Sequence, residues 1–282
     1  MSNALVPGVH QFDAAAYHAD PCSEPSLSSS IAQVLIDKSP RHAWLQHPRL
    51  NPAYKPDEDS RFDLGSAAHA LLLEGANAKI AVIDAADWRT KGAKEQRDQA
   101  RASGLFPILA KHDYALKAMV KAAHEAIEES ELKGIFQDGK PEQTVIWREA
   151  GVWLRCRPDW LANDHRIILD YKTAENAEPE QFSRQIERMG YDFQAAFYSR
   201  SFPKPPAFIF LAQEIEPPYD CSLHGLSEAA IQIAAFNVER AINIWRGCMI
   251  RGKWPGYDKR IHYAEPTTWA LQKHEQRLQE AE

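Results

Sequence analysis

The run Ile167-Ile168-Leu169, leading directly into Asp170-Tyr171-Lys172, constrains this chain more than any other stretch. Three consecutive apolar residues after the Asn163-Asp164 turn read as a strand buried on both faces, which requires packing layers above and below it. Side chains at i and i+2 of a strand share a face, so Asp170 and Lys172 project together from the end of that strand. A lone Asp-x-Lys triplet is most often a surface salt bridge; its neighbours in the sequence change the reading.

Val152-Trp153-Leu154-Arg155-Cys156-Arg157 is a second strand-like run, and Pro158 cannot continue its ladder, so Asp159 is expected at the rim of a sheet. Its alternative is a turn or cap acid. Adjacent strands lie about 4.8 Å apart, so Asp159 and Asp170 on neighbouring strands would share one hard cation, at about 2.0–2.1 Å for magnesium. Lys172 on the same pocket would orient or deprotonate a water, or hold phosphate charge. Glu142 opens the strand before this one. If the two strands are neighbours its carboxylate reaches the site edge, where it would bind a second cation or an attacking water; otherwise it is an exposed strand-start acid.

His69 lies in an otherwise apolar helical segment. It is either a hydrogen-bonded core residue or, if that helix packs over the sheet rim, a metal ligand that suits manganese somewhat better than magnesium. Gln194 and Tyr198 are four apart on a helix and share a face. They would bond phosphate oxygens or a carboxylate, or simply pack on the neighbouring strand. Trp88-Arg89-Thr90-Lys91 combines an aromatic with cations. Arg89 and Lys91 would hold DNA backbone phosphates beside a stacked base, unless the run is a solvated helix start. Arg155 and Arg157 share one strand face, where they would either meet phosphates or neutralise the acidic cluster.

Around these residues the pattern predicts an α/β protein with a central mixed sheet flanked by helices. Residues 1–25 read as irregular, followed by short helices capped at Ser28–Ser30 and opened by Pro40. Phe62 to Gly75 reads as a helix with a Leu64, Ala68, Leu71, Leu72 stripe, and residues 86–130 as mostly helical. Gln143–Trp147 and Val152–Arg157 read as a hairpin, residues 180–201 as helix with Phe182, Ile186, Met189 and Phe193 on one stripe, and Ala207–Leu211 and Cys221–Leu223 as strands. A long amphipathic helix covers 227–250 and a polar helical tail starts at Pro266. The expected parts are an N-terminal segment (1–60), a core (61–257) and a polar tail (258–282).

The net charge of −6 excludes a globally basic nucleic-acid coat, though DNA contact needs only a local basic surface. The four cysteines contain no Cys-x-x-Cys pair, which disfavours a zinc or iron–sulfur site and provides no disulfide framework. No apolar run reaches membrane-spanning length and the first residues lack the features of a signal peptide, so a reducing cytoplasm is expected.

Gly65-x-x-x-His69, Glu142, Pro158-Asp159, Asp170-x-Lys172 and Gln194-x-x-x-Tyr198, in that order, resemble the PD-(D/E)xK nucleases of the RecB-like branch. Tyr17-His18-Ala19-Asp20-Pro21, the serines to Ser30, and Ser39-Pro40-Arg41-His42 resemble the start of the phage and prophage exonuclease VIII-like (RecE) family, related to lambda exonuclease. The likeness runs from about residue 9 to about residue 257. It implies a restriction-endonuclease-like core in which His69, Asp159, Asp170 and the backbone carbonyl of Tyr171 ligate Mg2+ or Mn2+. Lys172 would position or activate water, Glu142 would support the metal–water network, and Gln194 and Tyr198 would buttress the site and contact DNA. The second acid of the family is often Glu; here it is Asp170, one methylene shorter. The resemblance further implies digestion of linear double-stranded DNA from its ends, 5′ to 3′, leaving 3′ tails for a RecT-like single-strand annealing protein. It also implies a homo-oligomeric ring and a phage or prophage origin in a bacterial cytoplasm. RecB-like nucleases often carry a four-cysteine iron–sulfur cluster, but the cysteine spacing here does not provide that pattern, so none is expected; nor is membrane association. The alternatives are a structure-specific or restriction-like endonuclease and a non-catalytic DNA-binding ring protein.

Overall fold

The protein is described by a computed structural model covering residues 5–55 and 64–280. Its centre is strand β9 (Ile167–Ala174), which lies in a five-stranded mixed sheet of order β11-β10-β9-β8-β5. β10 (Ala207–Glu214) runs parallel to β9, whereas β8 (Trp160–Ala162) and β11 (Cys221–His224) are antiparallel to their neighbours, and β5 (Gly139–Pro141) closes the far edge. Both faces of β9 are covered, as its apolar run requires. Ile168 joins a core with Phe182, Phe197, Phe210 and Trp245, while Leu169 and Tyr171 join a second core with Leu72, Leu116, Met119 and Leu211.

A four-stranded sheet, β1-β6-β7-β2, stands beside the first. Its centre is the hairpin of β6 (Thr144–Glu149) and β7 (Val152–Cys156), turned at Ala150 and Gly151, both with positive φ. β1 (Gly8–His10) and β2 (Leu27–Ser28) of the N-terminal segment form the two edges. The two sheets share one long hairpin. β5 pairs with β8 in the same register in which β6 pairs with β7: Pro141 lies opposite Trp160 and Val145 opposite Cys156. Between them the Glu142 N–H donates to the Asp159 carbonyl at 3.0 Å.

Helices cover these sheets where local signals start and stop them. Ser28 caps α2 (Ser29–Asp37), Pro40 opens α3 (Pro40–Gln46), and Ser227 caps α9 (Glu228–Arg251), whose inner face buries Val238, Ile242 and Trp245. α4 (Leu64–Glu74) and α6 (Asp113–Glu128) pack on the second core. The predicted start of α4 at Phe62 and Asp63 lies outside the described residues, as do loop residues 56–60 and residues 1–4. α10 (Thr268–Gln279) is the expected polar tail helix and has no buried residue.

Four local expectations are corrected. Residues 1–25 are not wholly irregular: they supply β1 and α1 (Ala14–His18), and β1 is stabilised by a distant partner that local pattern does not reveal. Residues 86–130 are not only helical. After α5 (Lys91–Ala102) comes β4 (Phe106–Leu109), paired in parallel with β3 (Ile80–Ile83); four-residue strands are too short to show a period. The helix across 180–201 is two, α7 (Pro179–Met189) and α8 (Tyr191–Ser199), because Gly190 adopts φ +68° and ends the first. Met189 therefore leaves the buried stripe and is 49% exposed.

The fourth correction concerns Arg155. Its side chain is buried, and Nη1 donates to the Ser26 carbonyl at 2.8 Å and to Ser26 Oγ at 2.6 Å, with Asp20 Oδ1 at 3.4 Å. It is not available to a DNA phosphate. Asp20 is equally buried, accepts from Ser26 N at 2.8 Å and Ser26 Oγ at 2.6 Å, and has His47 Nε2 at 3.4 Å. Burial alone would raise the Asp20 carboxyl; His47, Arg155 and Ser26 overcome it and hold the carboxyl below its usual value. Its stabilisation is thus present at neutral pH and is lost as acid takes the pH down through that lowered value. Arg155→Met should leave the buried Asp20 charge with only His47 and the Arg49 guanidinium, 3.7 Å away, and destabilise the fold by about 3 kcal/mol. The urea midpoint of purified variant and wild type measures this; an unchanged midpoint would refute the structural role given to Arg155.

Candidate metal centre and active site

Two acids meet where the long hairpin passes from one sheet to the other. Pro158 has no N–H for the ladder, and Glu142, opposite Asp159, has φ +55°, a conformation uncommon for a residue with a side chain. The ladder is carried across by the Glu142-to-Asp159 backbone bond. Glu142 is therefore a linker residue between β5 and β6 rather than the first residue of a strand, and Asp159 precedes β8 rather than ending β7. β8 lies next to β9, so Asp159 is beside Asp170 as expected: its Oδ2 accepts from the Tyr171 N–H at 2.9 Å.

α4 crosses over this point and brings His69 to it. His69 Nε2 is 3.1 Å from Asp159 Oδ2 and 3.8 Å from Glu142 Oε1. Donor atoms of His69, Glu142 and Asp159 all lie within 4.8 Å of one another, a grouping able to hold a cation. Asp170 is buried behind them. Lys172 Nζ lies 2.6 Å from Asp170 Oδ1 and 2.8 Å from Oδ2 and donates with hydrogen-bond geometry to Oδ2. Among the described residues Oδ1 has no hydrogen bond. A buried carboxylate beside a second carboxylate, with an imidazole and Glu142 adjoining, is the donor set a hard divalent cation takes. The residues present therefore fit Mg2+ or Mn2+. The geometric cluster differs from the expected ligand set in grouping Glu142 with His69 and Asp159, while Asp170 pairs with Lys172.

The electrostatics follow from three carboxylates sharing a partly dry space. Burial raises Glu142, and Asp159 adds to it against the opposing pull of Arg157, so its carboxyl is pushed up to about 7. Burial alone would raise Asp159 too, but His69 and Lys172 hold it well below the usual carboxylate range. Asp170 goes the other way, raised by burial and by the Asp159 charge. Burial would lower His69, yet Asp159 and Glu142 push it up to about 9. Lys172 is likewise raised: burial opposes its charge, and Asp170 and Asp159 more than offset that. It also sits 5.1 Å from the centre of the Tyr191 ring. The cluster attracts positive charge.

Two clefts flank the centre, and Glu142 and Arg157 line both. One of about 810 Å³ is walled by His69, Glu74, Lys79, Phe106 and Trp160. The other, about 380 Å³, is walled by Tyr17, Ser28–Ser30, Gln194 and Tyr198. Gln194 and Tyr198 thus share a face, as their spacing requires, on the side of α8 turned to this second cleft. Arg157 places Nε 3.0 Å from Glu142 Oε2, a contact to the acidic cluster. Arg89 and Lys91 line neither cleft; they are exposed at the start of α5 and pair locally with Asp87 and Glu95. Tyr17, whose buried ring lies beneath the guanidinium groups of Arg155 and Arg157, carries no local signal of its place in the cleft wall.

Residues 29–267 match the sequence profile of a family described as PDDEXK-like domain of unknown function (DUF3799). A solved structure from Eubacterium rectale, described as that of a candidate exonuclease, is similar in fold. It superposes with a TM-score of 0.52 over 93% of this chain and 98% of that one, at 13% sequence identity. The solved structure of SSO0001 aligns with a TM-score of 0.27 at 18% identity over 54% of this chain and 67% of that one, a likeness too slight to bear on the fold. No curated protein matches.

A cation that binds the folded centre but not the unfolded chain stabilises the fold, by about 2.7 kcal/mol at a concentration of 100 Kd. Mn2+ should therefore raise the melting temperature of the protein, and Asp159→Asn should abolish most of that rise. Thermal unfolding with and without Mn2+ checks both; an equal rise in the variant would remove Asp159 from the ligand set.

Proposed function

The chain belongs to the PDDEXK-like domain family DUF3799, and from that premise we propose that it is a divalent-metal-dependent nuclease that digests linear double-stranded DNA from its ends. The observation that carries this reading is the meeting of His69, Glu142 and Asp159 within 4.8 Å, with the Asp170–Lys172 pair against Asp159. His69, Asp159 and the buried oxygen of Asp170 would hold the ion, with the Tyr171 main chain anchored beside them. When bound, a divalent cation there supplies the Lewis acidity that phosphodiester hydrolysis needs.

The remaining chemistry belongs to side chains. Lys172 is kept charged and directed by Asp170, so it is already in place when negative charge grows on the phosphate; donors fixed in advance are the most effective in a transition state. Glu142, at the edge of the cluster and ionising near neutrality, is placed to take up a proton from the attacking water. Water attacks phosphorus, the bond to the 3′-oxygen breaks, and that oxygen leaves with a proton from solvent. Gln194 and Tyr198 would bind the DNA backbone in the smaller cleft.

The finer parts of the proposal rest on the resemblance of ordered motifs to the exonuclease VIII-like family. They are 5′ to 3′ polarity, 3′ tails passed to an annealing protein of the RecT type, a homo-oligomeric ring, and work in the cytoplasm of a bacterium carrying phage-derived genes. The description of the Eubacterium rectale protein as a candidate exonuclease agrees with digestion from ends. Among the described residues no helix is long and apolar enough to cross a membrane.

End-labelled linear duplex should be degraded in Mg2+ or Mn2+ and spared in chelator, while closed circular duplex stays intact; nicking of the circle would mean an endonuclease. Asp170→Ala and Lys172→Ala should each lower digestion by about 10²–10³-fold or more while retaining DNA binding. Undiminished digestion by both would overturn the site assignment.

A further inference from the structure

Arg157 grips Glu142 at two points. Its Nε lies 3.0 Å from Glu142 Oε2 and donates to the Glu142 main-chain carbonyl at 3.3 Å. From the same strand the Asp159 carbonyl accepts the Glu142 N–H at 3.0 Å. Glu142, in its left-handed conformation at the hairpin kink, is thus held by side chain and main chain together from the opposite strand. The guanidinium is itself fixed. The Arg157 side chain is 18% exposed, and its Cζ lies 6.0 Å from the centre of the buried Tyr17 ring, which also carries Arg155 at 5.4 Å.

Resting on the functional reading above, we propose that Arg157 is a positioning residue for the metal centre. It acts through Glu142, aiming that carboxylate at His69 and Asp159 and offsetting its charge, rather than through a DNA phosphate. The competing role is real chemistry, because Arg157 borders both clefts. Lysine separates the two. An ammonium keeps the charge a phosphate would use, but both contacts run from Nε, a place along the side chain where lysine carries only a methylene.

The experiment measures Mn2+ affinity by electron paramagnetic resonance, and kcat and KM on end-labelled duplex. The proteins compared are wild type, Arg157→Ala, Arg157→Lys, Glu142→Ala and the Arg157→Ala/Glu142→Ala double variant. Both Arg157 variants should lose about tenfold or more in Mn2+ affinity, the range for groups that support a metal ligand, with kcat lowered and KM for DNA unchanged. The double variant should be no worse than Glu142→Ala, since Arg157 acts through that residue. Circular dichroism establishes folding, and if Arg157→Ala does not fold, Arg157→Lys gives the same readouts. A lysine variant with wild-type Mn2+ affinity, a defect confined to KM, or losses that add in the double variant would overturn the inference. Wild-type protein that neither binds Mn2+ nor digests DNA would instead overturn the functional reading, and this inference with it.

Discussion

The hydrogen bond from the Glu142 N–H to the Asp159 carbonyl is the point on which the centre depends. It keeps one hairpin in register while its two strands leave one sheet and enter another. A hairpin confined to a single sheet would alternate its side chains between two faces. Bending it at a proline and a left-handed glutamate breaks that alternation and turns both acids toward the same gap. α4 then needs only to lie across the gap for His69 to reach them.

Gathering Glu142, Asp159 and Asp170 costs stability, because like charges in a partly dry space repel and each loses water. The fold meets this cost locally. Arg157 takes one side of Glu142, His69 shares Asp159, and Lys172 holds Asp170. The neighbouring carboxylates push the pKa of His69 and of Lys172 upward, which favours their charged forms. A cation would do the same work in one place, which is why a site of this kind is both strained when empty of charge and receptive to metal. The apolar cores on the two faces of β9 hold the strand against that repulsion.

The N-terminal segment has a larger part than its irregular sequence suggests. It contributes two sheet edges, and its buried Asp20 and Ser26 pin Arg155 in β7. Arg155 and Arg157 alternate on one strand and look equivalent in sequence. One ends in a buried polar network and the other beside Glu142, because β7 ends at Cys156 and Arg157 lies beyond it.

Much of the fold was legible locally. Ile167–Leu169 identified the strand buried on both faces, the serine and proline caps marked α2 and α3, and the i, i+2 rule joined Asp170 to Lys172. These depend on near neighbours in the chain, whose spacing the backbone geometry dictates. The four-residue pair β3–β4, the break at Gly190 and the strand β1 did not show, since short strands lack a period and their partners are distant. The residue types alone likewise marked His69, Glu142 and Asp159 as able to bind a cation. Whether they meet is a matter of which strand lies beside which, where the hairpin bends and how α4 crosses it. Those relations are set by packing between segments far apart in sequence, and only the folded chain decides them.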